Sequence, residues 1–331
     1  MRLALRAGAR GVATTAPNPP VGAVLVRDGV LLAIGHHERA GGPHAEVVAF
    51  SKLSDPALAK GSVLYVTLEP CSTQGRTPPC VDAILRHGVA RVVVGCTDPN
   101  PKHAGRGLQL LRAAGVSVDC GVCETEARRL IRAFAKRITT GLPWVLAKVA
   151  STLDGRISLA PAAGRWLSNE ASRQLVHRLR ARVDAVMIGA GTARSDDPHL
   201  DVRGVWHAKQ PVPVILSRSG VLPPRLWLLR GARAATTRVL RGPTLEAALR
   251  ELAADGIQSV LLEGGSQLFG EAVDGRLIDE YMLFLAPLLA GGPQPITSGR
   301  GCAQPNESLR LNEIRMRRMG SDLCISGVVT P

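Results

Sequence analysis

His44-Ala45-Glu46, followed by Glu69-Pro70-Cys71 and then Pro79-Cys80, is the stretch from which the fold of this chain is read. One imidazole, two thiols and a carboxylate beside the imidazole are the parts of a zinc site that activates water and moves its protons. Zinc deaminases hold the metal with His and Cys, keep a fourth position for water, and use a nearby Glu that is not a ligand as the proton shuttle. His44, Cys71 and Cys80 are the candidate ligands and Glu46 the candidate acid/base. Residues 47–53 read as helical, so His44 and Glu46 project from the first turn of one helix. Cys71 follows a strand-like run over 62–68, and Cys80 precedes the apolar positions of 81–85. Both ligand segments therefore open helices, whose dipoles favour thiolates. A structural zinc would normally be closed by a fourth Cys or His, and none lies at a suitable spacing. The plainer alternative is a pair of buried packing cysteines.

Outward from this stretch, strands and helices alternate. Runs over 21–26 and 30–35 flank Asp28-Gly29, a hairpin signal. A strand over 62–68, a helix over 80–87 ended by Gly88, a strand over 90–95 and a helix over 107–114 ended by Gly115 follow. This pattern predicts a mixed sheet covered by helices. Residues 124–140 read as one amphipathic helix stopped by Gly141-Leu142-Pro143, which sets a boundary between domains 1–141 and 142–331. Beyond it come a strand over 144–150, a helix capped by Ser168 or Asn169 and running to about 182, and strands over 184–189, 212–216 and 259–262. The last runs into Glu263-Gly264-Gly265-Ser266 and a helix, an arrangement that can cradle phosphate. Gly189-Ala190-Gly191 falls short of a Rossmann fingerprint, because Arg194 stands where the third Gly would be.

Composition bounds the function. The length of 331 residues fits two domains, and 45% hydrophobic with 21% charged residues is ordinary for soluble globular protein. No apolar run is long enough to span a bilayer, so no membrane partner is expected. Seven cysteines, two of them claimed for metal, do not form a secreted disulfide framework in a chain this long, and a cytoplasmic location follows. Cys120 and Cys123 form a lone CxxC that reads as packing. Residues 1–11 are rich in Arg and lack acidic residues, as transit peptides do, yet serve equally well as a first helix. The net charge of +14 raises a rival class, an enzyme acting on nucleic acid. Aromatics are only 3% of the chain, which leaves few stacking platforms for unpaired bases, and the basic residues are dispersed. No nucleic-acid partner is expected; a small phosphorylated substrate would also need local positive charge.

Eight residues separate Cys71 from Cys80, more than in the commoner PCxxC form. EPCSTQGRTPPC over 69–80, with Pro17-Asn18-Pro19-Pro20-Val21-Gly22, His44-Ala45-Glu46 and Asp98-Pro99-Asn100-Pro101, resembles the deaminase half of the bifunctional riboflavin-biosynthesis deaminase/reductase family. KVASTLDGR over 148–156, Trp166, GAGTARSDDPHL over 189–200, Arg203 and LEGG over 262–265 match its reductase half in order. The resemblance implies an α/β chain: a cytidine-deaminase-like three-layer domain with a mixed sheet, then a dihydrofolate-reductase-like α/β domain. It implies Zn2+ and NADPH as cofactors and a homo-oligomer. The implied reactions are deamination of 2,5-diamino-6-(5-phosphoribosylamino)pyrimidin-4-one and reduction of its ribosyl group to a ribityl chain.

Carried over by position, Ala150, Trp166, Thr192, Asp196 and Gly265, Ser266, Gln267, Leu268, Phe269, Gly270 and Glu271 would contact NADPH. Gly164, Arg180, Leu200, Arg203 and Glu263 would line the pyrimidine phosphate site, where Arg180 and Arg203 offer forks suited to phosphate. A charge on a helix face is the simpler reading of Arg180, and capping the turn before Pro198 that of Asp196. Asn18 resembles a substrate residue whose amide can both donate and accept, or is a turn residue between prolines. Two positions depart from the family pattern. Thr73 stands where His is usual, and Ser217-Arg218 replaces the common Asp-Ser, at a position expected to contact NADPH. Two other functions compete with this reading. One is a deaminase of a related pyrimidine, nucleoside or RNA with a C-terminal domain that is not an active reductase; the other is a noncatalytic zinc scaffold.

Overall fold

The computed structural model describes residues 1–74, 78–101, 103–158, 167–242 and 244–330. Two compact units, Met1–Gly141 and Leu142–Pro331, each carry their own sheet.

The first unit runs α1 (Arg2–Gly8), β1 (Gly22–Arg27), β2 (Val30–His36), α2 (Ala45–Ser51), β3 (Val63–Leu68), α3 (Cys80–Arg86), β4 (Arg91–Cys96), α4 (Arg106–Ala113), β5 (Ser117–Cys120), α5 (Glu124–Leu130) and α6 (Arg132–Thr140). Its strand order is β2-β1-β3-β4-β5. β1 is antiparallel to both neighbours, while β3, β4 and β5 are parallel. This is the expected mixed sheet. Asp28 and Gly29 make the β1–β2 turn at φ 51 and 76, the two positive φ values of a type I′ hairpin. Glycine lets helices lie directly on the sheet: a Cβ on Gly35 would stand 2.2 Å from Ala45 O. That contact fixes the start of α2, and with it His44 and Glu46, against β2. Residues 2–8 form the first helix, with Ala4 and Ala7 buried.

One element differs from expectation. Residues 124–140 are two helices, because the chain bends at Ile131 (φ −98, ψ 9). Ile131 is 2% exposed and packs with Ala127 against Leu68 and Cys96, so burial of this apolar pair sets the bend. Cys120 is exposed and Cys123 half-buried, both as free thiols, so the CxxC does not pack in the core.

The second unit contains β6 (Trp144–Thr152), α7 (Glu170–Arg180), β7 (Ala185–Gly189), α8 (Ala190–Asp196), β8 (Val212–Leu216), α9 (Gly231–Ala234), β9 (Arg238–Leu240), α10 (Leu245–Ala254), β10 (Ser259–Leu262), α11 (Ser266–Asp274), β11 (Glu280–Ala286), β12 (Arg310–Met319) and β13 (Asp322–Thr330). The order is β12-β13-β11-β6-β10-β7-β8-β9. The six strands from β11 to β9 are parallel and the other two pairings antiparallel. Helices on a parallel sheet bury both of its faces, which is why Val186–Ile188 and Val260–Leu262 are continuous apolar runs. Asn169 caps α7 by accepting from Ser172 N. Among the described residues no helix is long and apolar enough to cross a membrane.

Candidate functional site

His44 is the N-cap of α2, Cys71 follows β3, and Cys80 opens α3. The fold brings the three together. His44 Nδ1 lies 3.1 Å from Cys80 Sγ and 3.5 Å from Cys71 Sγ, and the three donor atoms fall within 4.8 Å of one another. Tetrahedral zinc with ordinary Zn–N and Zn–S bonds separates such donors by about 3.6 Å. The set therefore fits zinc in chemistry and in spacing, and among the described residues no fourth donor joins it. Hydrogen bonding by Cys80 and His44 draws the Cys71 thiol down to about 4, and the backbone N–H of Cys80 donates to its sulfur at 3.2 Å. Hydrogen bonding to Cys71 raises the pKa of His44, and Cys80, paired with that thiolate and buried, is shifted upward.

Glu46 sits in the first turn of α2, 3% exposed. Burial pushes its carboxyl up, and the neighbouring Cys71 adds to the shift. A carboxyl raised beside a water-activating metal is poised to take and return a proton.

Two further residues organise this site. Asn18 Nδ2 lies 3.2 Å from His37 Nε2, while His37 Nδ1 lies 2.9 Å from Pro43 O. Nδ1 thus carries the proton that Pro43 O accepts, and Nε2 accepts from the Asn18 amide. Burial keeps this ring below the ordinary histidine range, and it stands edge-on to His44 with centroids 5.4 Å apart. His37 carries no local motif and was not read from the sequence. Glu69, 5% exposed, accepts from Asp98 N at 3.1 Å, Gly105 N at 2.9 Å and Gly107 N at 2.9 Å. It ties the loop before α4 to the end of β3, just ahead of Cys71. Glu69→Ala is expected to destabilise the protein by about 3 kcal/mol, roughly one per N–H left without its acceptor. Zinc retained after dialysis should fall in parallel; unchanged metal content would separate this brace from the ligand set.

In the second unit a cavity of about 870 Å³ opens at the C-terminal ends of β6, β7, β8 and β10. Ligands of parallel sheets bind at this edge. Ala150, Thr192, Asp196, Gly265–Phe269 and Glu271 all lie in its wall, as does Glu263. Gly270 does not: it is buried in α11, where a Cβ would meet Ser298 O at 2.5 Å. Gly164 and Trp166 lie outside the described residues. α8 and α11 both begin at the cavity, presenting backbone N–H groups beside Gly191 and Gly265. A Cβ on Gly265 would close to 3.3 Å on Thr192 Oγ1, so glycine keeps this cradle open. The size and the paired helix starts fit a phosphorylated dinucleotide.

Arg180 reaches the cavity through Glu263. Its Nε and Nη2 donate to the two Glu263 oxygens at 2.7 and 3.1 Å, and its Nη1 donates to Asp201 O at 3.0 Å. Lys148 Nζ, also in the cavity wall, donates to Glu263 Oε2 at 3.2 Å. Burial opposes the charged form of Glu263, yet Arg180 and Lys148 hold its carboxyl down at about 2. Leu200 is buried at φ 52, and Arg203 is exposed and pairs with Asp201 at 3.3 Å. Neither is in the cavity wall. Lys148 was missed in the sequence, although it opens the KVASTLDGR string.

Comparison with known proteins finds a family match in each unit. The family model for the cytidine and deoxycytidylate deaminase zinc-binding region matches residues 1–96, and that for the RibD C-terminal domain matches residues 143–325. The riboflavin biosynthesis protein RibD of Aquifex aeolicus is 38% identical over 345 residues, covering 98% of this chain and 96% of that one. A structure of Acinetobacter baumannii RibD superposes with a TM-score of 0.89 at 36% identity, covering 99% of this chain and 97% of that one. A Thermotoga maritima structure described as a diaminohydroxyphosphoribosylaminopyrimidine deaminase/5-amino-6-(5-phosphoribosylamino)uracil reductase gives 0.87 at 32% identity, covering 100% and 97%. With a deaminase zinc region in one unit, a reductase domain in the other and full-length relatives joining them in the same order, the chain belongs to the RibD family of riboflavin-biosynthesis proteins.

Proposed function

We propose that His44, Cys71, Cys80 and Glu46 in Met1–Gly141 carry the deamination, and that the cavity in Leu142–Pro331 carries the reduction. The chain is a bifunctional riboflavin-biosynthesis enzyme, a zinc-dependent deaminase and an NADPH-dependent reductase. The observation that carries the reading is the convergence of one imidazole and two thiols beside a buried carboxyl.

The substrate is 2,5-diamino-6-(5-phosphoribosylamino)pyrimidin-4-one. In the first step water adds at an amine-bearing ring carbon and ammonia leaves, giving the uracil. Zinc, when bound, supplies the Lewis acidity that makes water a nucleophile at neutral pH. Glu46 takes the proton of the attacking water and delivers it to the departing amine. Its burial removes bulk solvent from that exchange. Asn18, oriented by His37, meets the pyrimidine edge.

In the second step NADPH supplies the hydride that reduces C1 of the opened ribosyl group, yielding the ribityl chain. Gly265 and the start of α11 would hold the dinucleotide phosphates, with Thr192 and Asp196 also in the cavity wall. Glu263, kept ionised by Arg180, presents Lys148 to the cavity, where its ammonium can donate the proton taken up by the amine nitrogen as hydride reaches C1 and the C1=N bond of the opened ribosyl group becomes single. Leu200 and Arg203, on the loop that Arg180 anchors through Asp201 O, would bound the substrate phosphate. The enzyme works in the cytoplasm as a homo-oligomer on small phosphorylated pyrimidines, without nucleic acid; the 3% aromatic content supports that last exclusion.

A coupled assay on the purified chain, following ammonia release and NADPH oxidation together, tests both halves. Ammonia followed by NADPH loss is the expected result. Ammonia alone would leave a deaminase whose second unit has another task, and neither signal would overturn the assignment.

A further inference from the structure

The loop between α8 and β8 that carries Leu200 and Arg203 is held more firmly than an exposed connection requires. Asp197 and Leu200 are left-handed, at φ 40 and φ 52, without being glycine, and such conformations persist only where the surroundings over-determine them. Leu200 is 2% exposed and packs in one cluster with Ile188, Ile215 and Leu228. Leu228 belongs to the short turn Trp227–Leu229, and that turn grips the loop twice more. Trp227 N donates to Asp197 Oδ1 at 2.7 Å, and the Trp227 ring stacks on His199 with centroids 4.2 Å and planes 11° apart.

The imidazole of His199 in turn meets Arg203: His199 Nδ1 lies 3.5 Å from Arg203 Nη1. A guanidinium only donates, so Nδ1 accepts and the imidazole proton sits on Nε2. Arg203 Nε is 3.3 Å from Asp201 Oδ1, but that buried oxygen accepts no hydrogen bond among the described residues. The carboxylate therefore attracts the charge without fixing the plane of the fork, and His199 is what directs it. The side chain of Arg203 is 57% exposed, so the fork keeps N–H donors for an incoming anion.

We propose that His199, mounted on Trp227, is a positioning residue for Arg203 and so sets how tightly the reductase half holds its phosphorylated substrate. The proposal rests on reading Arg203 as a contact to the substrate phosphate. An exposed arginine gives up side-chain freedom when it binds an anion, and a fork already held in place gives up less. The stack fixes the plane of the imidazole, and the Nδ1 lone pair lies in that plane. As a neutral acceptor the ring directs the fork without cancelling the positive charge that attracts phosphate.

The test is reductase kinetics on the full chain, supplied with the deaminated, phosphorylated uracil at saturating NADPH. His199→Phe keeps a ring for Trp227 and removes the acceptor; Trp227→Leu removes the stack and leaves the imidazole. Each should raise KM about 3- to 10-fold, the net worth of one hydrogen bond, with kcat within about twofold. Arg203→Ala should itself raise KM, and adding His199→Phe to it should change nothing further, because the group being positioned is gone. With the substrate stripped of its phosphate, wild type and His199→Phe should share one KM. A disturbed fold would carry its defect into both of those comparisons. An unchanged KM in His199→Phe, or an equal rise in the Arg203→Ala background or with the dephosphorylated substrate, would overturn the positioning role while leaving Arg203 as a phosphate contact. A wild-type KM in Arg203→Ala would overturn that contact and this proposal with it.

Discussion

Glu46→Gln is expected to keep its zinc and to release ammonia roughly two to four decades more slowly, the loss typical of removing a general acid/base. Glutamine has the shape of the carboxyl it replaces, so the first turn of α2 and the His44 position should survive. The side chain is 3% exposed, which leaves bulk water little access to replace its proton transfer. The three donor atoms are untouched, so metal content measured per chain should match the wild type. The two-step assay isolates the defect: supplied with the deaminated uracil, the variant should oxidise NADPH at the wild-type rate. Near-normal ammonia release with zinc in place would remove Glu46 from its role. Loss of zinc would instead show that the buried carboxyl supports the ligand set, and would count against a role confined to proton transfer.

The first site was legible in the sequence because its chemistry is local in each segment. His44 and Glu46 share one helix turn, and each Cys stands where a helix or turn begins. The supporting groups were not legible, since each acquires meaning only from a distant partner. Lys148 reads as a polar interruption of a strand until Glu263, 115 residues away, is placed beside it. His37 is likewise an unmarked residue until Asn18 and Pro43 meet its two nitrogens. Arg180 reads as a fork for phosphate or a charge on a helix face, and neither reading contains its pairing with Glu263, 83 residues away. The strands over 144–262 that were expected are the buried parallel ones, whose apolar runs announce themselves. β12 gave no such signal because nearly all of it is exposed, with Ile314 and Met316 among arginines. Its pairing with β13 is set by backbone hydrogen bonds across a turn at Gly320, which no hydrophobic period marks.

Glu263→Gln should divide the two halves of the enzyme. Its carboxylate is 8% exposed and satisfies Arg180 and Lys148, themselves 12% and 18% exposed. Removing the negative member of a buried pair leaves uncompensated cations, a change that costs about 3–5 kcal/mol. All four tryptophans lie beyond residue 141, so denaturation followed by tryptophan fluorescence reports on the second unit. NADPH oxidation should be lost while ammonia release continues, because Met1–Gly141 is a separate compact unit. The acid limb gives an independent check. The carboxyl is depressed from near 4.5 to about 2 in the folded protein. A depressed acid contributes stability above its unfolded value, and that contribution disappears as pH falls through the folded one. The contribution, about 3 kcal/mol for a shift of this size, is therefore full above about pH 4.5 and fades toward pH 2. The stability gap between wild type and Glu263→Gln should close over that same interval. A gap that stays constant from neutrality to pH 2 would show that the loss comes from packing, and Arg180 and Lys148 would no longer be the groups that hold Glu263 charged.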